Sequence, residues 1–387
     1  TANAIGPIYF AMIVAAAEKQ GLSLQRQKKL SFLVQNDVLK EYLARGTHIF
    51  PPKHGLRFSC DLVEYVVRNK FENVIPLIYC GYHIGEAGAN AFQQLAFLLA
   101  DGKAYIEEVL RRGINVNDLP EPRLNCAVSM DFFEGIAKLR ALRRMWAKMM
   151  KEQFGATNPK VMAGTLWAAL EATAFTAQQP FNNLIRGGIG TLAGALAGLV
   201  SLGCPCLDEA HSIPTLEAQT LANRTVQIVA EETGVVNTVD PLAGSYFVEA
   251  LTSQIEEKAW EEFNRIQAMG GAVAAIENGY MKRQITESGY EKLRQVESGE
   301  KVVVGVNKYR VDEPVPYKIY RVDPEEEAKQ IDKLNKLRKE RDNEKVAQSL
   351  KALGEAAEER VNVVPTILDA VKAYATMGEM CGVLRSK

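Results

Sequence analysis

Histidine is scarce in this sequence, and one histidine lies where catalytic groups are expected. The chain of 387 residues has four His, and His83 stands in the run Gly81-Tyr-His-Ile-Gly, between an apolar segment and a helical pattern. In α/β proteins, catalytic groups gather at the carboxyl ends of parallel strands. An imidazole there can donate a hydrogen bond to a substrate carbonyl. A histidine that caps the following helix is an equally good interpretation of the same residues.

Other polar side chains flank further apolar segments. Gln35 follows the first of these segments, and Arg45 comes shortly after it along the chain. Arginine offers a planar fork that can bind a carboxylate, although an arginine on the surface of a helix is more common. Arg123 and Asn125 open a third apolar segment, and Lys160 precedes a fourth. These last three residues either contact a phosphate or belong to loops.

Several familiar catalytic signatures are absent from the sequence. It contains no GxxxxGK[ST] loop, no GxSxG elbow, no HExxH and no complete GxGxxG between a strand and a helix. Of the six cysteines only Cys204 and Cys206 are close together, and no second Cys/His pair with ligand spacing accompanies them. The sequence therefore predicts structural, reduced cysteines and no metal-ligating residues.

Short apolar runs alternate with longer amphipathic patterns along most of the chain. The runs that predict strands are Leu30–Val34, Val74–Cys80, Leu124–Met130, Val161–Leu170, Leu196–Cys204 and Val235–Val239. In Asp131–Gln153, apolar residues recur at spacings of three and four, which predicts a helix. The alternation predicts an α/β fold with a parallel sheet, either an open sheet or a (β/α)8 TIM barrel that lacks its first strands.

The composition changes after residue 300. Pro324–Glu359 is dense in Glu, Lys and Arg and has only a thin apolar stripe, which predicts a helix on a surface or between domains. Pro365–Leu384 predicts another amphipathic helix. We therefore expect two regions, a partial catalytic barrel over residues 1–300 and a charged helical extension over residues 301–387.

Charge and hydropathy exclude some classes of partner. The formal net charge is −1, so no strong field attracts nucleic acid or an anionic membrane surface. No window is apolar for the roughly 18 residues that a membrane span needs. The segment starting at Thr1 does not resemble a signal peptide, and the scattered cysteines suit a reducing compartment. We expect a cytoplasmic protein.

A collinear set of motifs resembles the large subunit of the methylmalonyl-CoA mutase family. The motifs are Gln35-Asn-Asp-Val-Leu-Lys-Glu-Tyr-Leu-Ala-Arg-Gly-Thr, Gly81-Tyr-His, Gln178-Gln-Pro, Asp208-Glu-Ala, Val239-Asp-Pro-Leu-Ala-Gly-Ser-Tyr, Gly305-Val-Asn-Lys-Tyr and Glu340-Arg-Asp-Asn-Glu-Lys-Val. They occur in family order and span nearly the whole chain. The resemblance implies an adenosylcobalamin-dependent isomerase that rearranges the carbon skeleton of an acyl-CoA thioester by radical chemistry.

The resemblance also implies roles for the residues around the acyl group. His83 would hydrogen-bond the thioester carbonyl, with Tyr82 beside it, and Gln35 would contact the substrate. Arg45 would pair with a free carboxylate of the substrate, because family members that act on uncharged acyl groups have a non-basic residue there. A substrate of the methylmalonyl-CoA or succinyl-CoA type is therefore expected.

The remaining implied roles concern the CoA tail and the cofactor. Arg123, Asn125 and Lys160 would hold the CoA tail. Glu86, Glu209 and Ala210 would line the cobalamin and adenosyl side. The resemblance further implies a small cobalamin-binding subunit, a companion chain that supplies the first barrel strands, and an oligomeric assembly.

The sequence departs from the family pattern at two places near the expected pocket. Trp167 and Ala169 stand where the family has a polar His-x-Gln run, and Val200 and Gly203 replace the polar members of a second run. These changes remove buried hydrogen bonds that contribute about 1 kcal/mol each. They leave two functions open, a mutase with a reshaped pocket or a catalytically degenerate paralogue that serves as a structural or regulatory subunit.

Overall fold

Parallel strands form the centre of the computed structural model, which describes residues 2–386. The strands are β1 (Phe32–Leu33), β2 (Val74–Ile75), β3 (Ile78–Cys80), β4 (Arg123–Val128), β5 (Thr165–Leu170) and β6 (Ser201–Gly203). β1 pairs with β2, and β3, β4, β5 and β6 form a second sheet in that order. The Ile78 amide donates to the Gln35 carbonyl at 2.9 Å, so the segment after β1 also runs beside β3. Spatial order therefore follows chain order.

Helices connect successive strands and continue after the last one. They are α1 (Gly6–Lys19), α2 (Leu24–Gln27), α3 (Leu39–Ala44), α4 (Pro52–Arg68), α5 (Tyr82–Glu86), α6 (Ala91–Arg111), α7 (Phe132–Lys148), α8 (Pro159–Met162), α9 (Asn182–Leu196), α10 (Leu216–Glu232), α11 (Tyr246–Ala268), α12 (Ala272–Glu277), α13 (Tyr280–Glu297), α14 (Pro324–Glu340), α15 (Asn343–Glu358), α16 (Val364–Lys372) and α17 (Met377–Arg385). The predicted α/β class and parallel sheet are confirmed.

The central strands bury one face more completely than the other. On β4, Leu124, Cys126 and Val128 are buried in the main core with residues of α6 and α7. Arg123 and Asn125 alternate with them and are only half-buried. Because side chains alternate across a strand, the half-buried residues share the opposite face. We call this face, which carries the polar side chains Arg123 and Asn125, the open face of the sheet.

Helix α9 approaches the sheet closely because it contains glycines. A Cβ added to Gly190 would lie 2.6 Å from a Leu170 methyl, and one added to Gly187 would lie 2.7 Å from the Cys204 sulfur. Gly188 has no neighbour within 4 Å of such an atom. Of the three glycines in Gly187-Gly-Ile-Gly190, the first and the last therefore allow α9 to pack closely against the sheet.

Three sequence predictions of secondary structure need correction. Val235–Val239 is not a strand: residues Val235–Asn237 form a 3₁₀ turn. No neighbouring strand packs on this segment, and Val239 is 93% exposed, so β-branched residues alone do not produce a strand. The single helix predicted over Pro324–Glu359 is the pair α14 and α15, and the one predicted over Pro365–Leu384 is the pair α16 and α17. The helix predicted over Asp131–Gln153 is confirmed as α7 and a π-helical turn that follows it.

The C-terminal helices pack against the start of the chain. Residues of α15, α16 and α17 share a buried cluster with Ile8 of α1 and Phe58 of α4. The Arg57 guanidinium donates to the Ala357 carbonyl at 2.7 Å, and the Asp61 carboxylate accepts from the Val363 amide at 3.1 Å. α14, in contrast, has no buried residue. The division of the chain near residue 300 stays a prediction.

Neither a metal-binding cluster nor a membrane-spanning helix occurs among the described residues. All six cysteines are free, and no group of His, Cys, Asp and Glu side chains within residues 2–386 is arranged to hold a metal ion. Over the same range, no helix is both long enough and apolar enough to cross a bilayer.

Candidate active site at the carboxyl ends of the strands

His83 lies on the first turn of α5, directly after β3. The Gly81 amide donates to the Asn125 carbonyl at 2.7 Å, which fixes the start of α5 at the carboxyl end of the sheet. The His83 ring is half-buried. Its Nδ1 atom lies 3.0 Å from Lys40 Nζ and 3.1 Å from Cys80 Sγ. The predicted position of His83 at a strand end is therefore correct, and its ring contacts two residues that the sequence did not single out.

The surroundings of His83 keep its imidazole neutral. Burial, together with the nearby cations Lys40 and Arg45, lowers the pKa of His83 to about 3. Because this pKa lies several units below 7, the ring is uncharged at physiological pH. A neutral ring has one nitrogen that donates and one that accepts.

Gln35 reaches the same edge from the end of β1. Its side chain is buried, and Nε2 donates to Cys80 Sγ at 3.6 Å. The Cys80 thiol lies 3.3 Å from Asn125 Oδ1, and Asn125 Nδ2 donates to the Trp167 carbonyl at 3.2 Å. The Gln35 Oε1 atom is buried and has no hydrogen-bond partner among the described residues. A buried acceptor without a donor is costly, so this oxygen is available to a bound group.

Arg45 follows the last residue of α3. Its side chain is exposed, and it makes no ion pair within the described part of the chain. The guanidinium lies close enough to His83 to lower the pKa of that histidine. Arg45 therefore presents an unpaired positive charge beside the candidate site.

Asp37 anchors the loop that carries Gln35 and Lys40. Its carboxylate accepts hydrogen bonds from the Cys80 amide at 2.9 Å and from the Tyr105 hydroxyl at 3.0 Å. Burial raises the pKa of Asp37 to about 6. This buried carboxylate joins the ends of β1 and β3, and sequence reasoning missed it because its partners lie far away in the chain.

Tyr82 and Glu86 join α5 to the end of β5. The Tyr82 hydroxyl donates to the Leu170 carbonyl at 3.4 Å. The Glu86 carboxylate accepts from the backbone amides of Ala172 at 2.7 Å and Thr173 at 3.1 Å. Burial raises the pKa of Glu86. Both residues therefore order this edge of the sheet in addition to any contact they make with a ligand.

The predicted cofactor residues Glu209 and Ala210 lie beyond the end of β6 and are exposed. Partial burial raises the pKa of Glu209, and the neighbouring Asp208 carboxylate raises it further. Asp208 is buried and accepts from the Thr215 amide at 2.9 Å, which fixes the turn that presents Glu209. The structure places Glu209 at the same sheet edge as Glu86.

Arg123 and Lys160 do not join His83. Arg123 begins β4, where its guanidinium lies 3.5 Å from Glu121, and the exposed Lys160 lies on α8 before β5 begins. Both residues therefore lie at the amino ends of the strands. β3 is in register with Arg123–Asn125 of β4, so at about 3.3 Å per residue Arg123 lies about 7 Å along the strand from Asn125, whose carbonyl accepts from the Gly81 amide beside His83. The predicted residues thus form two groups, one at each end of the sheet.

Comparison with known proteins identifies the family of this chain. The profile of the methylmalonyl-CoA mutase family matches residues 1–387. The chain belongs to the methylmalonyl-CoA mutase family. It is 40% identical to the 2-hydroxyisobutanoyl-CoA mutase large subunit of Aquincola tertiaricarbonis over 98% of its own length and 67% of that protein.

Other members of the methylmalonyl-CoA mutase family are similarly related. The chain is 38% identical to the methylmalonyl-CoA mutase of Escherichia coli and 37% identical to a methylmalonyl-CoA mutase large subunit of Streptomyces virginiae. In each of these matches it is aligned over 99% of its length and covers 53% of the relative. The chain therefore spans about half the length of these mutases. The resemblance found in its motifs is confirmed.

The departures from the methylmalonyl-CoA mutase pattern at Trp167 and Ala169 lie on the open face of the sheet. Trp167 of β5 is in register with Asn125 of β4 on one side and Ser201 of β6 on the other. Its side chain is half-buried, as is Ala169 two residues later. The indole therefore lies on the same sheet face as Asn125, at a position where the methylmalonyl-CoA mutase pattern has a polar side chain.

Proposed function

We propose that this chain is the acyl-CoA-binding part of an adenosylcobalamin-dependent mutase that rearranges a substrate of the methylmalonyl-CoA or succinyl-CoA type. One observation carries the proposal. A neutral His83, a Gln35 with an unpartnered buried oxygen and an unpaired Arg45 meet at the carboxyl edge of the strands in a member of this family.

Each of these residues has a definite task in the proposed reaction. His83 donates a hydrogen bond to the thioester carbonyl and stabilises charge that develops on its oxygen as the group migrates. Gln35 accepts a hydrogen bond from the substrate through Oε1. Arg45 pairs with the free carboxylate of the acyl group, which orients the carbon that reacts.

The residues at the amino ends of the strands suit the CoA tail. Arg123 and Lys160 supply positive charge for phosphate groups, and Asn125 lies between them and the carboxyl edge on the same open face. A ligand that contacts Arg123, Lys160 and His83 must be extended along the strands, from their amino ends past Asn125. A CoA thioester, with its long flexible arm, meets this requirement.

The acceptors at the carboxyl edge fit the adenosyl part of the cofactor. Glu86 is the last residue of α5, Glu209 lies in the connection from β6 to α10, and Glu171 directly follows β5. Their carboxylates can accept hydrogen bonds from hydroxyl and amino groups, and Ala210 leaves space beside them. When bound, adenosylcobalamin would supply the radical that removes a hydrogen atom from the substrate. Relatives named as large subunits have a companion subunit, and we propose that a small cobalamin-binding subunit carries the corrin ring here.

The uncovered edge of the sheet supports a barrel that another polypeptide segment completes. β6 has no partner on its outer side in the described residues. Beside it, Ile185 is 64% exposed and Val200 is 72% exposed. An unpaired strand flanked by apolar side chains favours pairing with a further strand. Together with the sequential strand order, this supports a (β/α)8 barrel whose first strands come from a companion chain.

The proposal is tested by reconstitution. The chain is purified with its companion polypeptides, adenosylcobalamin is added, and conversion between methylmalonyl-CoA and succinyl-CoA is followed. We expect conversion that is lost in His83→Ala. An assembled complex that binds adenosylcobalamin but isomerises no acyl-CoA would refute the proposal.

The degenerate alternative makes a different prediction for the altered face. If the pocket is reshaped but active, Trp167→His combined with Ala169→Gln changes the rate or the substrate preference. If the site is retired, the double variant gains nothing. The intact network around His83, Gln35 and Asn125 favours the active site.

A further inference from the structure

Lys40 is a buried lysine whose charge is neutralised next to the candidate site. Its side chain is fully buried on α3, and Nζ lies 2.6 Å from Glu41 Oε1. The same carboxylate accepts a hydrogen bond from Asn3 at 2.6 Å and another from the Thr47 hydroxyl. A buried charge is tolerated only when it is paired and hydrogen-bonded. This arrangement meets that condition and holds the ammonium group in one place.

The second contact of Lys40 is with the histidine. Nζ lies 3.0 Å from His83 Nδ1. An ammonium group can only donate hydrogen bonds, so Nδ1 must be the accepting nitrogen of the neutral ring. The single proton of that ring then belongs to Nε2.

The thiol beside Nδ1 does not compete with this donor. Cys80 Sγ receives a hydrogen bond from Gln35 Nε2, and its own proton has Asn125 Oδ1 as an acceptor at 3.3 Å. The Gln35 amide thus donates to the Cys80 sulfur, and the Cys80 thiol in turn donates to the Asn125 oxygen. Lys40 is left as the donor to His83.

We propose that Lys40 is a positioning residue that holds the proton of His83 on Nε2. The ring then presents an N–H donor, rather than a lone pair, toward the substrate side of the site. The identity of the carbonyl that receives this hydrogen bond rests on the proposed function, whereas the position of the proton does not.

A purely structural role for Lys40 predicts a different result. If Lys40 only neutralised Glu41, replacing both would leave the His83 tautomer and titration unchanged. The charged and titratable groups that face the ring are Lys40 and Arg45 from α3, Cys80 from β3 and Tyr82 beside it on α5. Removing Lys40 takes away the nearest cation and the donor to Nδ1, while Arg45 and the burial persist.

The experiment is NMR of the full chain with ¹⁵N-labelled histidine. Two-bond ¹H–¹⁵N correlations report which ring nitrogen carries the proton, and His83→Gln assigns the signal among the four histidines. We expect His83 in the Nε2–H form. In the double variant Lys40→Met/Glu41→Gln, which leaves no unpaired carboxylate, we expect a mixture of tautomers. The titration midpoint of His83 in this variant should rise by about 1–3 pH units because a cation beside the ring is lost.

A matched control and the wild-type spectrum keep the test decisive. Lys138 is also buried but donates to Gln94 at 2.8 Å, so Lys138→Met should leave the His83 signal unchanged. A wild-type ring protonated on Nδ1 would overturn the inference even if the double variant does not fold. So would an unchanged titration in the double variant. A mutase that is inactive while Nε2 carries the proton contradicts the proposed function only.

Discussion

Replacing Arg45 should separate two classes of acyl-CoA substrate. Arg45 is exposed and has no ion pair in the described residues, so Arg45→Gln removes a charge without breaking an internal contact. A hydrogen bond to a charged group contributes about 1.5–3 kcal/mol. Because about 1.4 kcal/mol corresponds to a factor of ten, kcat/KM for methylmalonyl-CoA should fall about 10- to 150-fold. The exposure of Arg45 favours the lower part of this range, since solvent screens its charge.

The assay compares this loss with the effect on a substrate that has no free carboxylate. With 2-hydroxyisobutanoyl-CoA, the activity of Arg45→Gln should be unchanged or higher. Arg26 on α2 is also exposed but lies before β1, so Arg26→Gln controls for loss of one surface charge. His83 stays neutral in the variant because its burial and Lys40 still lower its pKa. Equal losses on both substrates, or no loss on methylmalonyl-CoA, would refute the assignment of Arg45 to the carboxylate.

Three further predictions concern stability and are checked by urea unfolding. Burial raises the pKa of Asp101, so above about pH 4 this carboxyl ionises in the unfolded chain but not in the folded one, and the wild type becomes less stable as pH rises. Asp101→Asn should therefore gain stability relative to the wild type between pH 4.5 and 7.5. A difference that stays constant over this range would contradict the prediction. Gly190→Ala should destabilise the fold by about 1–3 kcal/mol because the added atom overlaps a β5 side chain, whereas Gly188→Ala should stabilise it by up to about 1 kcal/mol; equal effects would contradict the packing of α9. Trp146→Phe removes the donor to the Val161 carbonyl at 3.0 Å and should cost about 1–3 kcal/mol; no loss would show that the carbonyl finds another donor.

Local periodicity predicted the elements of the sheet and helix layers but not all of their limits. The apolar runs before Gln35 and His83, and the run that Arg123 opens, are strands because neighbouring parallel strands and covering helices bury them. The equally apolar Val235–Val239 has no such neighbours and forms a turn. The break between α16 and α17 had a signal in the sequence, since Thr376 and Glu379 form a capping box.

The candidate site was predicted less completely than the fold. Residue type and position at a strand end identified His83 and Gln35. Lys40 was not identified, because a lysine within a charged helical run is typical of a solvated surface. Its burial follows from Asn3 and Thr47, which solvate its partner Glu41 from distant segments. Contacts of this kind depend on the tertiary arrangement, and no local spacing encodes them.

The return of the C-terminal helices to α1 and α4 has a consequence for synthesis of the protein. The hydrogen bond from Arg57 to Ala357 joins residues 300 positions apart. At about 5–20 residues per second, a ribosome needs about 15–60 s to make the intervening chain. During that time the apolar surfaces around Ile8 and Phe58 are outside the ribosome without the helices that later bury them. The nascent chain therefore exposes this apolar surface for that whole interval, during which aggregation competes with folding.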